Sequence, residues 1–318
     1  MHSKRLTTIA KQSLGLLIVS ALCLSSISAM AEPVMVSADS RHDGDLVSRN
    51  EPIIVGDRAI VEGEISSRNG GIQLGIEVVA GDLDSRNGSV TVAQGGRVGS
   101  IESRNGSVNL GAGTTAADVS TRNGAIVIAA GGQVDSAETR NGAIELGQGA
   151  SVSAGIVTRN GAIAVASEAR VGASISSRNG SVTVLESAEV GGAIETRNGE
   201  IHLSGARVVE HLRSRYGDIR VRDGSEVGGD VIIEVIDQDS SWSPLSGHEY
   251  SDAGSIWIGP GSTVNGDVII RLDADYNAEA PELHVAEGAA VHGKVEVDQR
   301  VMTNIEGRVD GGVERTEP

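Results

Sequence analysis

Aliphatic residues recur along most of this chain with a period of 18 or 19 residues, and each period carries the tetrapeptide Ser/Thr-Arg-Asn-Gly. The tetrapeptide occurs eight times, and partial copies surround Arg49 and Arg215. We name the arginines of the eight complete copies the arginine ladder: Arg68, Arg86, Arg104, Arg122, Arg140, Arg159, Arg178 and Arg197. Such regular self-similarity is typical of a repeat protein in which each period forms one structural unit.

The aliphatic positions form columns when the periods are aligned on their arginines. They lie three residues before the arginine and four, six and twelve residues after it, and the residue before the arginine is always Ser or Thr. Positions two apart point to the same side of a β-strand, so each period predicts short strands that face a common core. The last column includes Val190 and Val209. The extra residue of the 19-residue periods follows this column, which predicts that only one corner varies in length.

The columns predict an all-β fold, a single-stranded three-faced parallel β-helix, or β-solenoid. Each 18- or 19-residue period makes one triangular turn, and about a dozen turns stack roughly 4.8 Å apart. The Asn-Gly pair is predicted to form the first corner of each turn, where Gly supplies a positive φ and Asn either tolerates the left-handed conformation or stacks its amide on the next Asn. The predicted corner residues are Asn69, Gly70, Asn87, Gly88, Asn105, Gly106, Asn123, Gly124, Asn141, Gly142, Asn160, Gly161, Asn179, Gly180, Asn198 and Gly199.

The N-terminal segment has the composition of a secretory signal. Lys4, Arg5 and Lys11 precede or flank an apolar run that ends near Cys23, and small residues stand around Ala31. This order predicts cleavage after Ala31 and export to the periplasm or the cell surface, with no membrane-spanning segment left in the mature chain. Cleavage would remove the only cysteine. A lipoprotein site at Cys23 is the alternative, disfavoured because the preceding residue is not small.

The repeat divides the chain into regions. The predicted regions are a signal peptide at 1–31, an N-terminal cap at 32–45, regular solenoid turns at 46–235, an inserted loop at 236–254, further turns at 255–298 with a loop at 272–282, and a charged tail or cap at 299–318. Both loops are expected to leave the stack at the corner that carries Asn-Gly in the regular turns.

Charge gives the arginine ladder two interpretations. The net charge of −17 would become −20 after loss of residues 1–31, which disfavours nucleic acid as a partner of the whole surface. In one interpretation the ladder is a solvated stripe or an internally paired one, with acids two residues before the arginines at Asp84, Glu102, Glu138 and Glu195 as the partners. In the other it docks a repeating polyanion, such as a polysaccharide or lipopolysaccharide phosphate.

Other candidate chemistry is weak. Trp242, His248 and Tyr250 form a candidate recognition loop for a sugar or a protein, or a loop that covers the groove beneath it. Asp273 and Asp275 alternate as calcium ligands do, but the glycine and glutamate of an EF-hand are missing, which favours a solvated loop. A phosphate-loop match at 288–295 lacks the final Ser or Thr, and the histidines show no metal-ligand spacing. We therefore predict no catalytic residue, metal or cofactor.

The run from Val190 to Ile201 resembles the turns of bactofilin-like and adhesin-like β-strand-repeat proteins. The resemblance covers roughly residues 46–298. It implies a nucleotide-free, polymer-forming scaffold with a right-handed triangular β-helix. The signal segment departs from the cytoplasmic bactofilins and points to an exported relative.

Three functions are compatible with these observations. The first is a non-enzymatic structural or adhesive scaffold of the cell envelope, able to assemble end to end or laterally with further copies of itself. The second is a module that binds a glycan or polyanion, such as a cell-envelope polysaccharide, through the arginine ladder or the Trp242 loop. The third is a polysaccharide-degrading β-helix enzyme, which would need clustered carboxylates on one face. We find no such cluster in consecutive turns of the sequence.

Overall fold

The computed structural model describes residues 32–235 and 252–317, which contain strands and no helix. The chain from Pro33 onward forms one compact unit. Most turns contribute one short strand to each of three faces, and the strands of successive turns pair in parallel. The predicted all-β, three-faced parallel β-solenoid is therefore confirmed.

Sheets 1 and 2 each contain fourteen strands that follow one another in chain order. Sheet 1 consists of Val34–Val36, Ile53–Val55, Ile72–Leu74, Val90–Val92, Val108–Leu110, Ile126–Ile128, Ile144–Leu146, Ile163–Val165, Val182–Val184, Ile201–Ser204, Ile219–Arg222, Ile256–Ile258, Glu282–Val285 and Met302–Ile305. Sheet 2 consists of Leu46–Ser48, Ile65–Ser67, Leu83–Ser85, Ile101–Ser103, Asp118–Thr121, Ser136–Thr139, Ile156–Thr158, Ile175–Ser177, Ile194–Thr196, Leu212–Ser214, Val231–Val235, Val268–Leu272, Val295–Asp298 and Val313–Thr316.

The third face, which we call sheet 3, has shorter strands. Its first three are Arg41–His42, Ile60–Val61 and Val79–Ala80, and its last nine are Gln133–Val134, Ser151–Val152, Arg170–Val171, Glu189–Val190, Arg207–Val208, Glu226–Val227, Thr263–Val264, Ala290–Val291 and Arg308–Val309. Single-residue bridges at Arg97 and Thr115 connect the two groups. All three faces thus extend from the first described turn to the last.

The core is a narrow column of stacked aliphatic side chains. Ile65, Ile126 and Ile144 are fully buried, as are most members of their columns. The Ser/Thr column is also buried, and its hydroxyls bond mainly to the corner backbone: Thr121 Oγ1 donates to Gly106 O at 3.0 Å, and Gly106 N donates to Ser103 Oγ at 3.1 Å. The corner therefore satisfies most of the polar groups that the sequence places inside, and the Ser67 hydroxyl is an exception in this column.

One column position predicted from sequence is wrong. Val208, and not Val209, pairs with Val190 and is fully buried, whereas 43% of Val209 is exposed. The cause is a corner that is one residue shorter between Leu203 and Val208 than in neighbouring turns. This second corner therefore also varies in length, contrary to our expectation.

The terminal segments predicted as caps at 32–45 and 299–318 contribute turns of their own. Val34–Val36 pairs with Ile53–Val55 at one end, and Met302–Ile305 pairs with Glu282–Val285 at the other. Sheets 1 and 2 each have fourteen strands, so the solenoid has about fourteen turns, two more than the predicted dozen. The loop at 273–281 leaves the stack between sheet 2 and sheet 1, which is the corner expected for it.

Candidate functional site

The first corner carries a continuous ladder of asparagine amides. Asn123 Nδ2 donates to Asn105 Oδ1 at 2.7 Å, and Asn141 Nδ2 donates to Asn123 Oδ1 at the same distance. Equivalent bonds extend this series from Asn50 to Asn198. Each amide thereby joins two turns, and one of its two N–H groups stays free to bond outward.

The glycine that follows each of these asparagines is required for a reason that sequence analysis missed. None of Gly70, Gly88, Gly106 or Gly124 has a positive φ, so the predicted left-handed conformation is wrong for this corner. A Cβ on Gly124 would instead overlap the carbonyl oxygen of Gly106 and lie 2.8 Å from the backbone nitrogen of Ser107. Glycine is present because the backbones of adjacent turns approach too closely for any side chain.

The positive φ values belong to the second corner, nine residues after the arginine in most turns. Gly113 and Gly131 adopt them, but so do Glu168 and Ser187 at equivalent positions. This position requires only a residue that can adopt a positive φ, because a Cβ at Gly131 would meet nothing within 4 Å. Non-glycine residues are therefore tolerated at this corner.

The arginine ladder lies directly beside the asparagine ladder, with its members in adjacent layers. Arg122 N donates to Ser103 O at 3.0 Å, and Arg140 N donates to Thr121 O at 3.2 Å. All eight side chains are exposed. In water, unit charges about 4.8 Å apart repel by roughly 0.9 kcal/mol before screening by salt. A single-sign row is therefore mildly unfavourable for the isolated fold.

No ladder arginine forms an ion pair within the described part of the chain, whereas many other arginines do. Arg58 lies 2.7 Å from Asp39, and Arg207 lies 3.0 Å from Glu226. Among the described residues, Asp84, Glu102 and Glu138 make no ion pair, and Glu195, the fourth acid proposed as a ladder partner, lies 3.2 Å from His211. Internal pairing is therefore not seen in the described residues, and the interpretations that stay open are a solvated stripe, compatible with the exposed side chains, and a docking surface for a polyanion.

A groove runs along four turns of the ladder on the outer side of sheet 2. It has a volume of about 650 Å³. Its lining includes Arg140, Arg159, Arg178 and Arg197, together with the outward residues Glu138, Val157, Ser176 and Glu195. A second groove of about 260 Å³ continues beside Arg213, Arg215 and Glu234. Guanidinium groups therefore line a surface several layers long, with hydroxyl and carboxylate acceptors next to them.

Two carboxylates do stand in consecutive turns, which corrects the sequence analysis. Asp84 and Glu102 are register partners in sheet 2, and each lies two residues before the ladder arginine of its own turn, Arg86 and Arg104. Both side chains are exposed, and the groove of about 650 Å³ lies at other turns. Glycosidase acids are instead held in shielded pockets that tune them for proton transfer.

The remaining sequence candidates are not brought together. Trp242, His248 and Tyr250 lie outside the described residues, so the recognition loop stays a prediction. Asp275 N donates to Asp273 Oδ1 at 3.0 Å, which closes a local turn. Across 32–235 and 252–317, no group of three or more His, Cys, Asp or Glu residues is arranged to hold a metal ion. The phosphate-loop match runs through the strands Ala290–Val291 and Val295–Asp298.

Sequence analysis missed a clamp near the C-terminal end. Arg300 Nε and Nη2 donate to the two carboxylate oxygens of Asp298 at 2.9 and 2.8 Å, and Arg300 also donates to Asp273 O and Tyr276 O. The hydrogen bonds from Arg300 lower the pKa of Asp298, whose side chain is only 3% exposed. Tyr276 Oη accepts from Ala253 N at 2.8 Å, so the clamp also holds the second described residue after the segment 236–251.

Comparison with known proteins finds no match among family models, curated proteins or solved structures. The resemblance to bactofilin-like and adhesin-like proteins therefore rests on the repeat alone, and the model supports only the β-solenoid that they would share. Within 32–235 and 252–317, none of the secondary structure is a helix of the length and apolarity needed to cross a membrane.

Proposed function

We propose that this protein is an exported, non-enzymatic structural or adhesive rod of the cell envelope. The observation that carries the proposal is the uninterrupted run of sheets 1 and 2 through fourteen strands over one continuous core. Fourteen layers at about 4.8 Å make a rigid column roughly 60 Å long. Export is supported by the basic, apolar and small-residue order of 1–31.

The last turn favours single rods over end-to-end polymers. Arg315 occupies the inward position above the fully buried Val297. Its guanidinium donates to Gln299 O at 3.2 Å, Val301 O at 3.1 Å and Thr303 Oγ1 at 2.8 Å. A charged, hydrogen-bonded side chain over the core adds polarity to this end, as terminal repeats of solenoids require, while Val313 at the neighbouring inward position is 52% exposed. Another copy stacked here would have to bury that charge.

The oligomeric state of residues 32–318 tests the proposal that the last turn blocks end-to-end assembly of the rods. Negative-stain images and light scattering are expected to show single rods roughly 60 Å long. Arg315→Leu is expected to raise the proportion of end-to-end dimers and longer rods, because it exposes an apolar turn with unpaired strand edges. Arg86→Leu, an exposed change in the middle of the rod, is the matched control and should leave the monomer fraction unchanged. Filaments of the unaltered protein would contradict the proposal that this end is blocked.

A further inference from the structure

The arginine ladder is an unbroken row of eight arginines without an acidic partner, whereas nine of the fourteen other described arginines have one. Within the described residues, Arg41, Arg58, Arg207 and Arg220 each have a carboxylate within 4.0 Å. Acids outnumber bases by 17 over the whole chain. An unpaired row in so acidic a protein is therefore a specific arrangement and does not follow from a shortage of carboxylates.

The same column changes character beyond the ladder. Glu234 and Arg271 occupy the ladder position in the later turns and pair with each other in sheet 2. Arg271 Nη1 lies 3.8 Å from Glu234, and Arg271 Nη2 lies 2.8 Å from Glu296. The hydrogen bonds from Lys294 and Arg271 also lower the pKa of Glu296. The fold therefore accepts alternating charges at this position, whereas the turns from Arg49 to Arg215 keep a single sign.

The surroundings of the ladder indicate the chemistry of a ligand. Each layer of about 4.8 Å offers one guanidinium, a fork of donors suited to carboxylates. Acceptors for hydroxyl groups lie beside the guanidiniums and include Glu102, Glu138 and Ser176. The free N–H groups of the asparagine ladder are further donors on the same surface. A linear polymer that carries both carboxylates and hydroxyls matches this mixture of donors and acceptors.

We propose that the arginine ladder and its groove bind a linear anionic polysaccharide, whose carboxylates pair with successive guanidiniums and whose hydroxyls donate to the neighbouring acceptors. The groove along Arg140, Arg159, Arg178 and Arg197 is the centre of this surface. The inference goes beyond the proposed function, since a rod could have its structural role without a ligand.

Nucleic acid fits this surface less well. Bases of single strands are bound by aromatic stacking, and the chain has no Phe, Tyr or Trp between residues 32 and 215. Duplex DNA carries about one charge per 1.7 Å of axis, far denser than one guanidinium per layer. The carboxylates next to the ladder repel any polyanion, but a polysaccharide also has many hydroxyls that can donate to them.

Binding to polygalacturonate tests the proposal. Residues 32–318 are titrated with polygalacturonate, neutral dextran and oligothymidylate, with affinity electrophoresis or calorimetry as the measurement. We expect binding to polygalacturonate alone, weakened as salt increases. The triple variant Arg140→Gln, Arg159→Gln, Arg178→Gln should weaken binding at least about tenfold, because it removes three charge-assisted contacts.

A charge-matched variant separates ladder binding from general electrostatics. Arg58→Gln, Arg170→Gln, Arg207→Gln removes the same three charges at exposed, acid-paired sites and should change affinity less than about twofold. Circular dichroism melting establishes that both variants stay folded. Equal losses in the two triple variants would overturn the proposal, as would absence of polygalacturonate binding or tighter binding of oligothymidylate.

Discussion

Gly124→Ala is expected to lower the free energy of unfolding by about 3 kcal/mol, as severe overpacking does. The new Cβ would overlap the carbonyl oxygen of Gly106, and hydrogen bonds to the turns on both sides prevent these layers from separating. Urea denaturation followed by circular dichroism, with thermal melting as a second probe, measures the loss.

Gly131→Asn is the control for this prediction. Gly131 has a φ of +66° but open space where a Cβ would be. Asn tolerates this conformation, and Glu168 adopts it at the equivalent corner with a φ of +63°, so the cost should stay near or below about 1 kcal/mol. Comparable losses for the two variants would show that close approach of the backbones is not the reason for glycine at the first corner.

Arg300→Ala is expected to lower the free energy of unfolding by about 3 kcal/mol, because it leaves the carboxylate of Asp298 buried without its ion-pair partner. The side chain of Asp298 is 3% exposed, and both of its oxygens accept from Arg300. Arg207→Ala, in a pair exposed on both sides, should cost less than about 1 kcal/mol. Adding Asp298→Asn to Arg300→Ala should recover part of the loss, and failure to do so would contradict the mechanism.

The same pair predicts how stability depends on pH. Arg300 lowers the folded-state pKa of Asp298 below its ordinary value of 3.8. A depressed carboxylate pKa stabilises the folded state fully above the ordinary value, and this contribution is lost as the pH falls through the folded pKa. Melting temperatures between pH 2 and 6 should therefore decrease toward acid less steeply in Arg300→Ala than in the unaltered protein. An unchanged acid slope would show that this pair does not contribute.

Residue columns were sufficient to predict most of the fold, because a solenoid repeats one local solution. Two positions of like chemistry spaced by two residues define a strand, and the constant period places each strand on its equivalent in the next turn. Ile126 and Ile144 are register partners for this reason. The stacked amides of Asn123 and Asn141 follow from the same rule.

Features that do not repeat could not be predicted in this way. The buried position of Val208 depends on a single missing residue at one corner, which a fixed offset from Arg197 cannot detect. The last turn places Thr303 and Arg315 at inward positions, so its aliphatic pattern is interrupted there, although Ile305, Val309 and Val313 continue it. The clamp at Arg300 joins a loop and a strand that share no period.

The sequence predicts where the arginines of the candidate site lie, but it does not predict that they lack ion pairs. The period placed the arginines in adjacent layers, whereas the lack of ion pairs depends on side-chain directions that the sequence does not contain. Glu102 and Arg104 are two residues apart, yet their charged groups do not meet. The sequence also does not contain the distance between the backbones of adjacent turns. It therefore suggests a positive φ as the reason for Gly124, whereas the actual reason is the close approach of the Gly106 carbonyl.

The central claim, that successive repeats lie directly over one another, is tested most directly by a distance between two spin labels. Cys23 is the only cysteine, so residues 32–318 contain none, and labels at Ser66→Cys and Ser176→Cys would be unique. These positions belong to one outward column of sheet 2 and are joined by six successive register pairs. Double electron–electron resonance should give a narrow distribution of label-to-label distances centred at roughly 29 Å, which corresponds to six layers of about 4.8 Å. A broad distribution, or a mean distance beyond about 40 Å, would contradict the stacked β-solenoid.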